Sequence, residues 1–182
     1  TSEKLRVKRL KSIINLTLLS LITIVLILGG IINIIRTGQE KIFLWSSTDV
    51  KLGQWVRENT PPDSLFLTSS AHNHPIPSLG GRQIVMGFEG WLFSHGLSYE
   101  KVRADEVRMF QGETSLLLEY GVDYVALTPY ERYFAQGNGF NLNNSYFKNS
   151  GLFELVYTES SSQGAWEIYR VRKTDDRIRA SE

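Results

Sequence analysis

Residues 12–35 (SIINLTLLSLITIVLILGGIINII) carry no charge, and this run constrains the chain more than any other feature. A helix rises about 1.5 Å per residue, so the run covers a hydrocarbon core of about 30 Å with a little left for tilt. Its front flank carries Lys4, Arg6, Lys8, Arg9 and Lys11 against Glu3, whereas its rear flank offers Arg36 and Lys41 with Glu40 and Asp49. The positive-inside bias then predicts a cytoplasmic N-terminus and an extracytoplasmic remainder.

Three other readings of the run fit less well. A cleaved signal peptide has an apolar region of about 7 to 15 residues and a small-residue cleavage site; here Gly29-Gly30 is followed by more isoleucine. A buried core helix is normally shorter and charged on one face. An interfacial helix needs a strongly polar face, which Asn15, Thr17, Ser20, Thr23 and Asn33 do not supply. Those small polar groups are expected to face neighbouring helices. The sequence starts Thr1-Ser2 without methionine, and the expectation is a piece of a longer protein.

Of the 182 residues, 37–173 suffice for one ordinary domain with its own core. The expected organisation is a basic cytoplasmic flank (1–11), a transmembrane helix (12–35), an extracytoplasmic α/β domain (37–173) and a charged, frayed tail (174–182). The formal charge of +1 excludes a nucleic-acid binder that works through a basic surface. Without cysteine there are no disulfides, thiolate metal sites or cysteine nucleophiles.

Beyond the span, residues 48–59 place Val50, Leu52, Trp55 and Val56 near one side of a helix, with Thr48 or Asp49 as N-cap, and Pro61-Pro62 end it. Residues 64–69, 82–87, 123–128, 153–157 and 165–172 read as strands, and 99–111 and 114–120 as helices closed by Gly112 and Gly121. The link 72–81 reads as a shaped loop or short broken helix, 88–96 is glycine-bounded and aromatic, and 137–145 is turn-forming. Residues 146–150 form one helical turn, and 160–164 a hairpin loop. The fold class is α/β: one N-terminal transmembrane helix, then a mixed sheet of about five strands with flanking helices.

The succession Gln54-Trp55-Val56-Arg57-Glu58-Asn59-Thr60-Pro61-Pro62-Asp63, the His72-Asn73-His74-Pro75 loop, Gly81-Arg82, Met86-Gly87-Phe88-Glu89-Gly90-Trp91 and Tyr120-Gly121-Val122-Asp123-Tyr124-Val125 resembles a known architecture. It is similar to the C-terminal extracytoplasmic domain of polytopic membrane proteins of the glycosyltransferase C type, relatives of the protein mannosyltransferases. The resemblance covers residues 45–172 and the span before them. It implies a lipid-linked sugar donor, glycosyl transfer on the outer membrane face, and as partners the bilayer and further transmembrane helices of the same protein. In that group the catalytic carboxylate lies in the first extracytoplasmic loop. This chain has no such loop, so the resemblance implies an accessory, substrate-binding role here and no catalytic residue at any position of this sequence.

The chemistry-bearing residues concentrate in one loop-rich stretch. Asn73, His74, Arg82, Glu89, Trp91, His95, Tyr99 and Arg103 come from loops after successive strands, where α/β domains place ligands. Arginines there grip phosphate or pyrophosphate, and Trp91 stacks on a sugar face. Equally, Glu89 can pair with Arg82 or Arg103 to hold two loops, with Trp91 and Phe93 as membrane-interface plugs. His72, His74 and His95 with Glu89 are zinc-ligand types, but without a His-Glu-x-x-His helix; this leaves a metal hydrolase as a third reading. No cofactor motif is found: Gly137-x-Gly139 lacks the strand, helix and third glycine of a nucleotide fingerprint. Asn143-Asn144-Ser145 matches a glycosylation acceptor, and Ser94-His95 lacks a nucleophile elbow. Beside the accessory role in a glycosyltransferase-like protein stands a single-span interaction module without catalysis.

Overall fold

A computed structural model describes residues 2–39 and 44–172. The chain divides into two units, residues 1–43 and 44–182. The first is the helix α1, Ser2–Gln39, about 57 Å long at 1.5 Å per residue. It exceeds the expected span at both ends, and its apolar part is long enough to cross a membrane. Thr17 and Thr23 each donate their hydroxyl to the carbonyl four residues back, Ile13 O and Leu19 O, at 2.9 Å. Their hydroxyl protons thus find acceptors within the helix itself. The expected tail, 174–182, lies outside the described residues, as do Glu40 and Lys41 of the rear flank.

The second unit begins with α2, Ser47–Asn59. Its N-cap is Ser46, not Thr48 or Asp49: Asp49 Oδ2 accepts from Ser46 N at 2.7 Å while Ser46 Oγ accepts from Asp49 N, a capping box. Leu52 and Val56 are fully buried, but Val50 stands in solvent. The strands β1 (Leu65–Leu67), β2 (Gln83–Ile84) and β3 (Tyr124–Leu127) run parallel, with Leu65 opposite Gln83 and Phe66 opposite both Ile84 and Tyr124. β4 (Phe153–Ser161) and β5 (Gly164–Val171) form an antiparallel hairpin, and β5 pairs antiparallel with β3. The order β2-β1-β3-β5-β4 is the expected mixed five-stranded sheet. Ser162 and Gln163 alone make the hairpin turn, since β4 continues four residues beyond the expected end.

Alternation along the strands separates two cores. Leu67, Val125, Leu127, Tyr169 and Val171 face α5 (Glu100–Phe110), α6 (Thr114–Glu119) and α8 (Asn144–Asn149), where Met109, Phe110, Leu117 and Phe147 are buried. Phe66, Tyr124, Ala126, Trp166 and Ile168 face α2 and α3 (Pro75–Ser78). Two helices were not anticipated. α4 (Glu89–Ser94) buries none of its residues. α7 (Pro129–Gly137) follows β3 directly, with proline at its first position and a capping box from Thr128 to Glu131.

Candidate functional site at the strand ends

Parallel strands β1 and β3 both run out into polar residues: Thr68, Ser69 and Ser70 after β1, and Thr128 after β3, all buried. This is the end of the sheet at which open α/β folds collect their ligands. Glu131, the third residue of α7, lies completely buried between these two strand ends. Its Oε2 accepts hydrogen bonds from Thr128 N at 2.8 Å and Thr128 Oγ1 at 2.6 Å; its Oε1 accepts from Ser69 N at 2.9 Å.

His74, the N-cap of α3, completes the set with Nε2 at 3.0 Å from Glu131 Oε1. Ile76 N donates to His74 Nδ1, so the ring proton sits on Nε2 and is donated to the carboxylate. Burial opposes the charge on Glu131, but His74 and the bonds from Ser69 and Thr128 outweigh it and hold the carboxyl well below its usual range. Glu131 therefore ties β1, α3 and α7 together as a satisfied buried anion.

Glu106 is the contrast. It sits on α5, is completely buried, and neither of its carboxyl oxygens has a hydrogen-bond partner. Burial, and then the charges of Glu131 and Glu89, push its pKa up to about 9 against the opposing pull of Arg103. The Ser69 hydroxyl, beside Glu131, is buried and unpartnered as well. Buried polar atoms without partners are rare, and each such group calls for an explanation.

The anticipated site residues scatter around this cluster. Glu89 and Arg103 do pair, Arg103 Nε at 3.2 Å from Glu89 Oε1, and Arg103 Nη2 also donates to Asn138 Oδ1 at 2.6 Å. This joins the start of α4 to α5. Arg82 is elsewhere: it donates to Thr60 Oγ1, Gly80 O, Arg57 O and Thr60 O at 2.7–3.0 Å, closing the C-terminal end of α2. Asn73 bonds His72 at 2.7 Å, and the His72 ring meets the edges of Phe88 and Trp91 at 5.0 and 4.7 Å. His95 Nδ1 donates to Trp91 O at 2.7 Å, and Tyr99 caps α5.

His72 and His95 thus stand on an exposed lip while His74 is buried with Glu131. Among the described residues no three His, Asp or Glu side chains converge as metal ligands. The lip itself is apolar: Trp91 is 58% exposed, Phe93 75% and Leu97 57%.

Ser69, Glu106, Thr128 and Glu131 were missed in the sequence. Thr128-Pro129-Tyr130-Glu131 is a legible capping box with proline at the first helical position. Glu106 falls four residues after Val102 and three and four before Met109 and Phe110, on the buried stripe of its own helix. No family model matches the chain, and none of the curated proteins searched matches it.

Proposed function

We propose that the chain is the last span and the extracytoplasmic domain of a polytopic glycosyltransferase-like membrane protein. In this reading α1 crosses the bilayer with a cytoplasmic N-terminus, and the domain helps hold a lipid-linked sugar over an active site supplied by other spans. The observation that carries the proposal is the α4 lip. Trp91 and Phe93 project from a helix without a buried residue, with Leu97 exposed just after it, on a domain whose other large aromatic residues are mostly packed. Exposed apolar groups clustered in this way mark a binding surface, and an indole is suited to stacking on a sugar ring or a prenyl chain. The glycosyltransferase C-like succession of motifs supplies the sugar chemistry, and the apolar length of α1 supplies the tether.

Trp91→Ala and Phe93→Ala in the full-length protein should each lower transfer from a lipid-linked sugar by about tenfold or more, the loss of one well-placed contact, with unchanged melting temperature. Wild-type rates in both would remove the reading. The same lip favours a single-span interaction module as the second reading. The upstream reading frame separates the two: further spans with an acidic first outer loop support the transferase, and a start codon a few triplets before Thr1 supports the module.

A further inference from the structure

The α4 lip stands at the same end of the sheet as the point where the chain enters the domain. Ser46 caps α2, and Asp49, in the first turn of that helix, accepts from the Tyr130 hydroxyl at 3.0 Å. Tyr130 opens α7 just after the end of β3, and its ring lies 5.0 Å from that of His74. His74 in turn bonds Glu131, which accepts from Ser69 N just beyond the end of β1. Two residues before His74, at most about 7 Å back along the chain, the His72 ring meets Phe88 and Trp91 at 5.0 and 4.7 Å. Contacts and covalent links therefore run from the start of α2, across the C-terminal ends of β1 and β3, to the lip.

We propose that the lip docks on the bilayer, with Trp91, Phe93 and Leu97 inserted at the boundary between headgroups and acyl chains. Docking deepens the reading of the lip as a binding surface and rests on α1 being a span, but it needs no sugar. The length of the link decides the occupant. Seven residue steps separate Gln39, the last residue of α1, from Ser46, and a fully extended chain covers about 25 Å in seven steps. A compact domain of this size is about 35 Å across. The end of the sheet that carries Ser46 is thereby kept on the membrane side, and the lip belongs to that end. A second protein on the lip would have to enter that short gap, whereas the lipid surface already lies within reach.

The chemistry of the lip suits a lipid interface. Indole rings collect at the headgroup level of membranes, and phenylalanine and leucine beside them add apolar area to bury. Glu89, the first residue of α4, is paired with Arg103 at 3.2 Å, so the helix brings no bare carboxylate to the bilayer. The end of the helix is provided for as well, since His95 N donates to Trp91 O at 3.0 Å and the His95 ring bonds the same carbonyl at 2.7 Å. Prenyl chains lie in the bilayer, so a docked lip meets the lipid part of a lipid-linked sugar. The polar strand ends behind it stay buried in the domain.

The test uses the full 182-residue chain in phosphatidylcholine nanodiscs, where the absence of native cysteine allows a single nitroxide label on an introduced one. Three exposed positions are compared: Phe93→Cys on the lip, Val25→Cys in the uncharged run of α1, and Asp63→Cys in the turn between α2 and β1, at the other end of the sheet. Collisions with lipid-soluble oxygen and with a water-soluble nickel chelate report the depth of each label. The Phe93 label should lie about 5 to 10 Å into the headgroup and acyl boundary, while the Asp63 label stays fully open to nickel. Leu97→Cys should repeat the Phe93 result, and adding Trp91→Ser should move the Phe93 label towards water. A Val25 label in lipid with a Phe93 label as wet as that at Asp63 would overturn docking and leave the span standing. A Val25 label in water would overturn the span and docking together. No sugar enters these measurements, so lipid-buried labels at Phe93 and Leu97 uphold docking even where Trp91→Ala and Phe93→Ala leave sugar transfer unchanged.

Discussion

Arg82 and Glu106 are both charged residues that the fold draws inward, and they are treated in opposite ways. Arg82 enters the collar at the C-terminal end of α2 and finds an acceptor for each of its three nitrogens, four of them within 3.0 Å. It also brings positive charge to a helix C-terminus, where the backbone dipole favours it. Glu106 enters the interior from α5 and finds none. A satisfied charge is explained by the structure that satisfies it; an unsatisfied one destabilises the fold and calls for another reason to be there.

The largest expected effect tests the satisfied member. Arg82→Ala should lose about 3 kcal/mol of stability, because several carbonyls and the Thr60 hydroxyl lose a charged donor together. Denaturant unfolding measures it, and Arg82→Lys should recover less than half, since a single ammonium cannot span the collar. A loss below about 1 kcal/mol would place the collar among ordinary surface contacts.

Next in size, and opposite in sign, is Glu106→Gln. The unfolded chain ionises this residue from about pH 4.5 upward, while the folded chain keeps the proton until about 9. The folded-state pKa is raised, so the stability tied to Glu106 is intact below pH 4.5 and drains away as pH rises towards 9. Replacement by the uncharged amide should therefore stabilise the chain by about 3 kcal/mol at pH 7, with the difference vanishing near pH 4.5. Melting curves of both chains between pH 4 and 9 give the answer. A mutant no more stable than the wild type at pH 7 would erase the contrast with Arg82.

The smallest effect sharpens the picture between these extremes. Glu89 and Arg103 are partly exposed, so Glu89→Gln should change stability by less than about 1 kcal/mol. It also removes one of the two negative charges that raise Glu106, and the Glu106 midpoint should fall by a measurable amount. A midpoint that stays in place would mean that the Glu89 charge does not act on the buried acid.

The architecture was readable because its signals are local. An uncharged run, two prolines after a helix, glycines at helix ends and short apolar stretches give the long apolar helix, the mixed sheet and most helices without tertiary information. The site was less readable, because pairing is decided across the fold. Arg82 stands beside glycines in a loop and looks available; only the meeting of α2 with that loop shows that its guanidinium is consumed. Glu89 and Arg103 were open to either role, and 3.2 Å settles that they pair. The inner acids were overlooked for a different reason. Glu131 and Glu106 look like ordinary surface carboxylates unless the capping box around the first and the apolar stripe around the second are weighed above their charge.

The sheet ends differently on its two sides, and neither edge invites another copy to join. β2 offers two residues, Gln83 and Ile84, too few to template a foreign strand. β4 is nine residues long, but its register slips between Leu155 and Tyr157, and it carries Glu154 and Glu159, engaged by Arg170 and Lys51. A kinked, charged border resists the edge-to-edge zipping that seeds aggregation. Crowded side by side, such chains should stay individual, and any assembly they form must be made through side-chain surfaces rather than by extending the sheet.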